Sequence, residues 1–222
     1  MPFITFSHPK GGVGKTTICF NYLVSLQKKN VPFVCIDLDG QNSITHLNSL
    51  RELNGLKPFE VLRFNSEKKL ISYIEEVDED KYVIIDSGGF DSLFNRLVLS
   101  VSDLIITPLA DSPLELLRLI DFDKNIVSDI EKETKHKIKL HILLNKINSS
   151  TKQITHIKEQ LSSCKHCNFL NSMIRDRVIY KNSLIEAKGV LELKLEKKSD
   201  LKAKEELENL FNELKNFCNL SF

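Results

Sequence analysis

The chain has 222 residues, of which 41% are hydrophobic, and its formal net charge is +1 at pH 7. A chain of this length can bury one sizeable core, so a single domain over residues 1–222 is expected. With balanced charge, the protein as a whole has no strong positive electrostatic field that would attract nucleic acid or an anionic membrane.

Cysteine usage and hydropathy indicate a cytoplasmic protein. Five cysteines are scattered along the chain, and an odd number of this kind does not suggest a disulfide framework. The sequence shows no basic and apolar leader segment, and no apolar run approaches the length of a membrane span. We therefore expect a protein of the reduced cytoplasm without a membrane partner.

Apolar runs and helical patterns alternate along the whole chain. The strand-like runs are predicted to end near Ser7, Leu38, Phe64, Asp86, Thr107, Asn145 and Ile174. Helical patterns lie between most of them, for example over residues 114–130 and 154–161. The alternation predicts an α/β fold with a mostly parallel twisted sheet and helices on both faces. Such sheets bind their ligands at the carboxyl ends of the strands.

The first strand-like run leads directly into the octapeptide Lys-Gly-Gly-Val-Gly-Lys-Thr-Thr, residues 10–17. Glycines let backbone N–H groups approach a polyphosphate closely, and the N-terminus of the following helix favours an anion. Lys15 is predicted to contact the outer phosphates, and the Thr16 hydroxyl to hold Mg²⁺. The octapeptide therefore predicts a P-loop, whose nucleotide-binding residues are Gly11, Gly12, Val13, Gly14, Lys15, Thr16 and Thr17.

A second lysine, Lys10, stands directly before the glycines. With it, the octapeptide resembles the deviant Walker A loop of the ParA/MinD family of partition and positioning ATPases. In that family the extra lysine crosses a dimer interface to the phosphates of the partner's nucleotide. The resemblance implies an ATPase that forms a homodimer on binding ATP, with Lys10 and Lys15 as catalytic residues and with slow hydrolysis in the absence of a partner protein.

Two later segments resemble the acidic strands of this family. Residues 34–41 resemble the strand that ends in Asp-x-Asp-Pro-Gln, which implies that Asp37 lies near the metal and that Asp39 orients the attacking water. Residues 82–89 resemble the Walker B strand and second switch loop, which implies that Asp86 reaches Mg²⁺ through water. The likeness extends over roughly residues 3–190.

A further strand bears on the choice of base. Residues 142–145 resemble the family strand whose terminal asparagine, here Asn145, faces adenine. Asn148 completes a near match to the Asn-Lys-x-Asp of guanine-specific proteins. An amide has one acceptor oxygen, so it cannot accept both hydrogen bonds that an aspartate receives from guanine. ATP is therefore favoured over GTP, although Asn145 could also be an ordinary strand-end residue.

Glycines replace prolines of the family pattern in both switch loops, at Gly40 and at Gly88–Gly89. Glycine widens the accessible backbone conformations where proline narrows them. We therefore expect looser switch loops than in the family, which affects the hydrolysis rate more than nucleotide binding.

Three uses of such a nucleotide switch compete. The first is DNA segregation, as in plasmid or chromosome partition. The second is positioning at a membrane surface or on a protein cargo, as for MinD. The third, a reductase like nitrogenase iron protein, needs two cysteines on the switch side. The Cys164-x-x-Cys167 segment is expected to be a solvent-side loop with two incidental thiols, with a metal or redox role as the alternative.

The helical pattern over residues 200–216 bears on the membrane alternative. Its three basic and five acidic side chains give a net charge of −2, which anionic lipid would repel. Leu207, Leu210, Phe211 and Leu214 form an apolar stripe. We expect this helix to dock on the protein's own core.

Residues 175–204 carry nine basic and five acidic side chains, a net charge of +4. A solvated mixed face accounts for this excess as well as a DNA surface does. By resemblance to partition ATPases, the DNA contacts are Arg177, Lys181, Lys188 and Lys198. No N-terminal helix-turn-helix is expected. The resemblance implies a nucleoid-associated protein with non-specific DNA and a ParB-type centromere-binding protein as partners.

Overall fold

The computed structural model describes residues 2–78, 80–89, 91–151 and 154–217. The strands are β1 (Phe3–Phe6), β2 (Phe33–Asp37), β3 (Val61–Leu62), β4 (Tyr82–Asp86), β5 (Leu104–Leu109), β6 (Leu140–Ile147) and β7 (Cys167–Arg175). The α-helices are α1 (Lys15–Lys28), α2 (Ser43–Leu53), α3 (Glu67–Glu76), α4 (Leu93–Val101), α5 (Pro113–Asp121), α6 (Ser128–Thr134), α7 (Thr155–Gln160), α8 (Val178–Ile185) and α9 (Lys198–Phe217). Among these helices, none has the length and apolar character needed to cross a membrane.

The seven strands form one sheet in the order β3-β2-β4-β1-β5-β6-β7, and every described pair is parallel. The predicted α/β fold is confirmed. The central strands β1, β4 and β5 are almost continuously buried, as expected for strands covered by helices on both faces. Asp86 pairs in register with both Phe6 and Asp37. The carboxyl ends of β1, β2 and β4 therefore lie side by side.

The C-terminal helix α9 packs on the protein's own core. Leu207, Leu210 and Leu214 are fully buried, and the Phe211 ring lies 5.2 Å from the Tyr22 ring of α1. The carboxylate of Glu213 accepts hydrogen bonds from two backbone N–H groups within β7. The predicted docking of this amphipathic helix is confirmed, since its apolar stripe is already covered.

The helical pattern predicted over residues 114–130 is interrupted. A π-helical turn, Phe122–Val127, separates α5 from α6. Periodicity alone cannot detect this turn, because the apolar residues continue on the same side of the helix. The turn contains Asp123, which is 1% exposed and hydrogen-bonded to the segment before β7.

Arg51 is a buried cation that joins α2 to the segment between α8 and α9. It is 1% exposed, its guanidinium lies 2.7 and 2.8 Å from the two carboxylate oxygens of Glu192, and it stacks 4.5 Å from the Phe59 ring centre. We expect Arg51→Met to lower the free energy of unfolding by about 3–5 kcal/mol, because it leaves the carboxylate of Glu192 without its ion-pair partner. Urea denaturation measures this change.

The matched control for that experiment is Arg63→Met, which changes an exposed arginine. A surface substitution of this kind is expected to stay within about 0.5 kcal/mol of the parent protein. If Arg51→Met costs no more than Arg63→Met, the ion pair does not contribute to stability as described.

Candidate nucleotide-binding site

The loop between β1 and α1 forms the floor of an open cavity of about 650 Å³. Glycines of this loop line the cavity together with Asp39, Gly40 and Gly89. Helix α1 begins at Lys15, so its N-terminus faces the cavity and favours an anion there. Six of the seven predicted P-loop residues therefore line one concave surface, whereas the seventh, Val13, is 1% exposed and is not part of the lining.

Gly14 is fixed by both backbone conformation and space. Its φ is +100°, and an added Cβ would lie 2.4 Å from Nδ2 of Asn145. The same Nδ2 atom donates a 2.7 Å hydrogen bond to the Val13 carbonyl, and Asn145 is 3% exposed. Asn145 thus holds the loop through its hydrogen bond to the loop backbone. A second cavity of about 450 Å³, lined by Gly14 and Asn145, adjoins this point and could hold the base; the adenine contact of Asn145 stays a prediction.

Lys15 is a buried cation at the start of α1. It is 5% exposed, and its Nζ donates a 3.1 Å hydrogen bond to the Lys10 carbonyl. Burial lowers the pKa of Lys15, while the nearby carboxylates of Asp86 and Asp39 act in the opposite direction. A phosphate in the cavity would supply the anionic partner that a desolvated ammonium lacks.

Asp86 and Thr16 form the part of the site that suits a divalent cation. The Thr16 hydroxyl donates a 2.7 Å hydrogen bond to Oδ2 of Asp86. Among the described residues, Oδ1 of Asp86 has no hydrogen-bond partner although it is fully buried. Burial raises the pKa of Asp86 to about 7. A hydroxyl beside a buried carboxylate with a free oxygen is a hard oxygen set that fits Mg²⁺.

The two acids at the end of β2 differ in their surroundings. Asp37 is 2% exposed, and its Oδ2 accepts hydrogen bonds from the backbone N–H and the hydroxyl of Thr45 at 2.9 and 2.7 Å. In this conformation Asp37 holds the first turn of α2, so its predicted place near the metal would be an additional role. Asp39 is half-buried on the cavity wall, and its Oδ1 accepts from the Gln41 N–H. Its water-orienting role stays a prediction.

Lys10 forms an ion pair that the sequence patterns did not indicate. Its Nζ lies 3.2 Å from Oε1 of Glu115, in the first turn of α5. The other carboxylate oxygen of Glu115 accepts a 3.0 Å hydrogen bond from the Ala110 N–H. The Lys10 side chain is 35% exposed, whereas that of Glu115 is 10% exposed. One sequence signal could have indicated this pair: Glu115 closely follows β5, whose carboxyl end lies at the same edge of the sheet as the P-loop.

His8 is a second residue of the site that sequence reasoning missed. It is fully buried, and its Nδ1 accepts a 3.0 Å hydrogen bond from the Lys10 N–H. Burial, together with the charge of Lys15, lowers the pKa of His8 to about 3. His8 is therefore neutral at physiological pH and acts as an acceptor that shapes the entry to the loop.

Gly89 has a role different from the expected loosening of the second switch loop. An added Cβ would lie 2.9 Å from the Gly11 nitrogen and 3.1 Å from the Lys10 carbonyl carbon. Glycine is therefore required because the switch loop approaches the P-loop backbone closely. At Gly40 nothing lies within 4 Å of an added Cβ, so that position has no such constraint.

We expect Gly89→Ala to weaken nucleotide binding by about 5- to 150-fold, since forcing a methyl group against fixed backbone costs about 1–3 kcal/mol. Titration with a fluorescent ATP analogue measures the affinity. Gly40→Ala is the matched control, and its affinity is expected to change by less than about threefold. Equal affinities for the two variants would show that the close approach has no influence on the site.

The four predicted DNA contacts differ in their environment. Arg177 donates three hydrogen bonds to the carboxylate of Glu206, and its side chain is 15% exposed. Its charge is therefore neutralised within the fold, which makes it the least suited of the four. Lys188 pairs with Glu186 at 2.9 Å but stays partly exposed. Lys181 and Lys198 are exposed.

The expectation that the two thiols lie on a solvent-side loop is wrong. Cys164 is 9% exposed, and Cys167 is half-buried as the first residue of β7. The segment before β7 packs into the core here because Ile157 and Leu161, which precede it, are buried in the same apolar cluster. The pair lies at the amino-terminal end of β7, whereas the P-loop follows the carboxyl end of β1. This position does not suit a cluster shared between two nucleotide sites.

Comparison with known proteins agrees with the geometry. Residues 4–190 match the family described as "CobQ/CobB/MinD/ParA nucleotide binding domain". A curated relative, Protein ParA of Rhizobium radiobacter, is 28% identical over 116 residues, which are 52% of this chain and 51% of that protein. The match thus spans about half the length of the relative.

Three solved structures share the fold. Apo McdA of Cyanothece has a TM-score of 0.72 at 17% identity, with 96% of this chain and 99% of that chain covered. A plasmid partition protein of Borrelia burgdorferi bound to AMPPNP has a TM-score of 0.62 at 18% identity, with the same coverage. The ParA of pNOB8 bound to nonspecific DNA has a TM-score of 0.60 at 15% identity, covering 100% and 99% of the two chains.

The family match covers most of the chain and contains both the P-loop and the acidic strand ends that adjoin it. The chain therefore belongs to the ParA/MinD family of P-loop ATPases.

Proposed function

We propose that this protein is an ATP-dependent DNA partition ATPase whose ATP-bound homodimer binds DNA without sequence preference. The observation that carries the proposal is the position of Lys10. Lys15 lines the cavity and would hold the phosphates of its own loop. Lys10 precedes the first glycine of that loop, stays partly exposed, and pairs with the carboxylate of Glu115, which a stronger anion could replace. A second protomer that faces this side of the loop would present such an anion.

The chain's own residues account for the chemistry of hydrolysis. When bound, ATP supplies the phosphoryl group that is transferred to water, and Mg²⁺ neutralises the charge that develops on it. Thr16 and Asp86 would hold the metal, and the loop N–H groups with Lys15 would hold the phosphates. Asp39, on the cavity wall, would orient the attacking water. Lys10 would act on the nucleotide of the partner.

The proposed partners are DNA and a centromere-binding protein. The relative named ParA and the pNOB8 ParA that binds nonspecific DNA support DNA as the surface on which the dimer acts. A ParB-type centromere-binding protein would stimulate an otherwise slow hydrolysis, and the protein would be cytoplasmic and associated with the nucleoid. Lys181, Lys188 and Lys198 are the first candidates for phosphate contacts, which predict steep salt dependence.

Electrophoretic retention of unrelated DNA fragments tests the proposal. The protein is compared with ATP, with ADP and without nucleotide. Retention is expected only with ATP, on any sequence, and should fall steeply with salt. Lys15→Ala should lose it through failed nucleotide binding, and Lys10→Ala should lose it while still binding ATP. Absence of retention at low salt, together with ATP-dependent flotation on anionic liposomes, would favour the MinD-like membrane-surface role instead.

A further inference from the structure

A cluster of two thiols and a carboxylate lies at the amino-terminal end of β7. The Sγ atoms of Cys164 and Cys167 and a carboxylate oxygen of Asp123 all lie within 4.8 Å of one another. Both thiols are free. Three such atoms at this spacing need only small side-chain rotations to surround one cation.

The cluster joins two segments that are distant in sequence. Asp123 belongs to the π-helical turn, and its carboxylate accepts hydrogen bonds from the N–H groups of Lys165 and His166 at 3.1 and 3.0 Å. It also lies 4.0 Å from the Cys167 sulfur. Isolated π-helical turns frequently occur at functional sites. Here the turn directs a carboxylate into the core toward the two thiols.

The imidazole ring of His166 also holds this carboxylate. Its Nδ1 lies 2.9 Å from Oδ1 of Asp123, and its Nε2 lies 3.1 Å from Oε2 of Glu131. His166 is 7% exposed. Side chains that ligate metals are commonly held by hydrogen-bonded neighbours of this kind, which fix the direction of the ligand atom. His166 and Glu131 therefore form a ready support for a ligating aspartate.

We infer that Asp123, Cys164 and Cys167 bind a zinc ion. Thiolate sulfur selects soft or borderline metals, and a carboxylate beside two thiolates suits Zn²⁺ better than it suits Cu⁺. Zinc in proteins is usually four-coordinate, so three side chains leave one position for water. Cys167 is only half-buried, which gives water access to that position.

The thiols are poorly suited to the competing redox role. Cys164 is buried, Cys167 is half-buried, and the carboxylate of Asp123 lies beside both sulfurs. Redox-active cysteines lie in partly exposed and electropositive surroundings, because the thiolate is the nucleophile. A bound dication, by contrast, converts buried thiols to thiolates directly.

The position of the cluster predicts what the metal does. Cys167 pairs with Leu140 at the first residue of β6, whereas the P-loop follows the carboxyl end of β1. The zinc ion would tie the π-helical turn to the start of β7 without contacting the nucleotide. This inference does not depend on the proposed function, because a stabilising metal at this edge is compatible with any cargo.

Cobalt titration of the full-length protein tests the site. Untagged protein is reduced, freed of metal with a chelator and titrated with Co²⁺. We expect one cobalt per chain, with thiolate-to-cobalt charge-transfer absorption in the near ultraviolet that added Zn²⁺ abolishes. Cys164→Ser and Cys167→Ser should each lose most of the absorption. Cys19→Ser, a buried cysteine outside the cluster, is the matched control and should keep it.

The supporting residues give a second measurement. Removing a neighbour that orients a ligand typically weakens metal binding by about 10- to 100-fold, so His166→Gln should bind Co²⁺ more weakly by that factor. ATP-analogue affinity in Cys164→Ser should stay within about twofold of the parent protein, which also shows that the variant folds. Absorption that persists in both cysteine variants, or a reduced protein that takes up no cobalt, would overturn the inference.

Discussion

Replacing Asp86 by asparagine is expected to stabilise the nucleotide-free protein and to abolish the proposed Mg²⁺-dependent ATPase activity. The carboxylate is fully buried with one oxygen unpaired among the described residues, and burial raises its pKa to about 7. In the unfolded chain the same group ionises near its usual value of 3.8. The folded state therefore bears the cost of a buried charge that the unfolded state does not bear.

The sign of the pH dependence follows from these two values. A folded-state pKa above the unfolded one means that the folded protein holds the proton more tightly. The contribution of Asp86 to stability is thus fully present below about pH 4 and is lost as the pH rises through about 7. A difference of this size corresponds to roughly 4 kcal/mol. An asparagine side chain at this position would not ionise and would avoid this loss.

Urea denaturation at pH 6 and pH 8, without nucleotide or metal, measures the effect. The stability gap between Asp86→Asn and the parent protein should widen from pH 6 to pH 8. Adding Mg²⁺ and ADP should stabilise the parent by about 2.7 kcal/mol at a hundredfold excess over Kd, and the variant much less. Asp39→Asn, at a half-buried position, serves as the control. A variant less stable than the parent at pH 8 would contradict the burial argument.

Lys10→Ala is expected to reduce the ATPase rate per protomer by about a hundred- to a thousandfold while leaving ATP affinity nearly unchanged. A charged group that acts on the transition state supplies roughly this factor. Because the charge would come from the second protomer, the parent rate should rise with protein concentration and the variant rate should not. Steady-state rates across a dilution series measure the rate per protomer and its dependence on protein concentration, and sedimentation in ATP measures dimer formation. A parent rate independent of concentration would remove the dimer from the mechanism.

Breaking the ion pair of Lys10 with Glu115 from the Glu115 side is expected to strengthen dimerisation in ATP. Lys10 must leave this carboxylate to reach a partner's phosphate. Glu115→Gln removes the negative charge but retains an acceptor for the Ala110 N–H. An ion pair of this exposure is worth up to about 1 kcal/mol, so the ATP-bound dimer should form about two- to fivefold more tightly. Sedimentation equilibrium in ATP measures the constant; weaker dimerisation would assign Glu115 a supporting role instead.

Much of the fold could be predicted because its signals are local. Strand ends predicted near Ser7, Leu38 and Asp86 lie within one residue of the observed ends of β1, β2 and β4. Strands buried on both faces appear as continuous apolar runs, and the P-loop is a contiguous segment whose glycines reflect its backbone conformation. The predicted strand near Phe64 is only Val61–Leu62, two residues that pair with β2 at the edge of the sheet.

By itself, the sequence determined the family, the parallel sheet and the P-loop, because each depends on contiguous spacing or on strand ends that meet at one edge. Only the tertiary structure decided which partners the charged and sulfur-containing side chains have. It paired Lys10 with Glu115, neutralised Arg177 on Glu206 and brought Asp123 to Cys164 and Cys167. These pairs are separated by at least 29 residues, and such contacts follow from packing, which no local pattern of residues records.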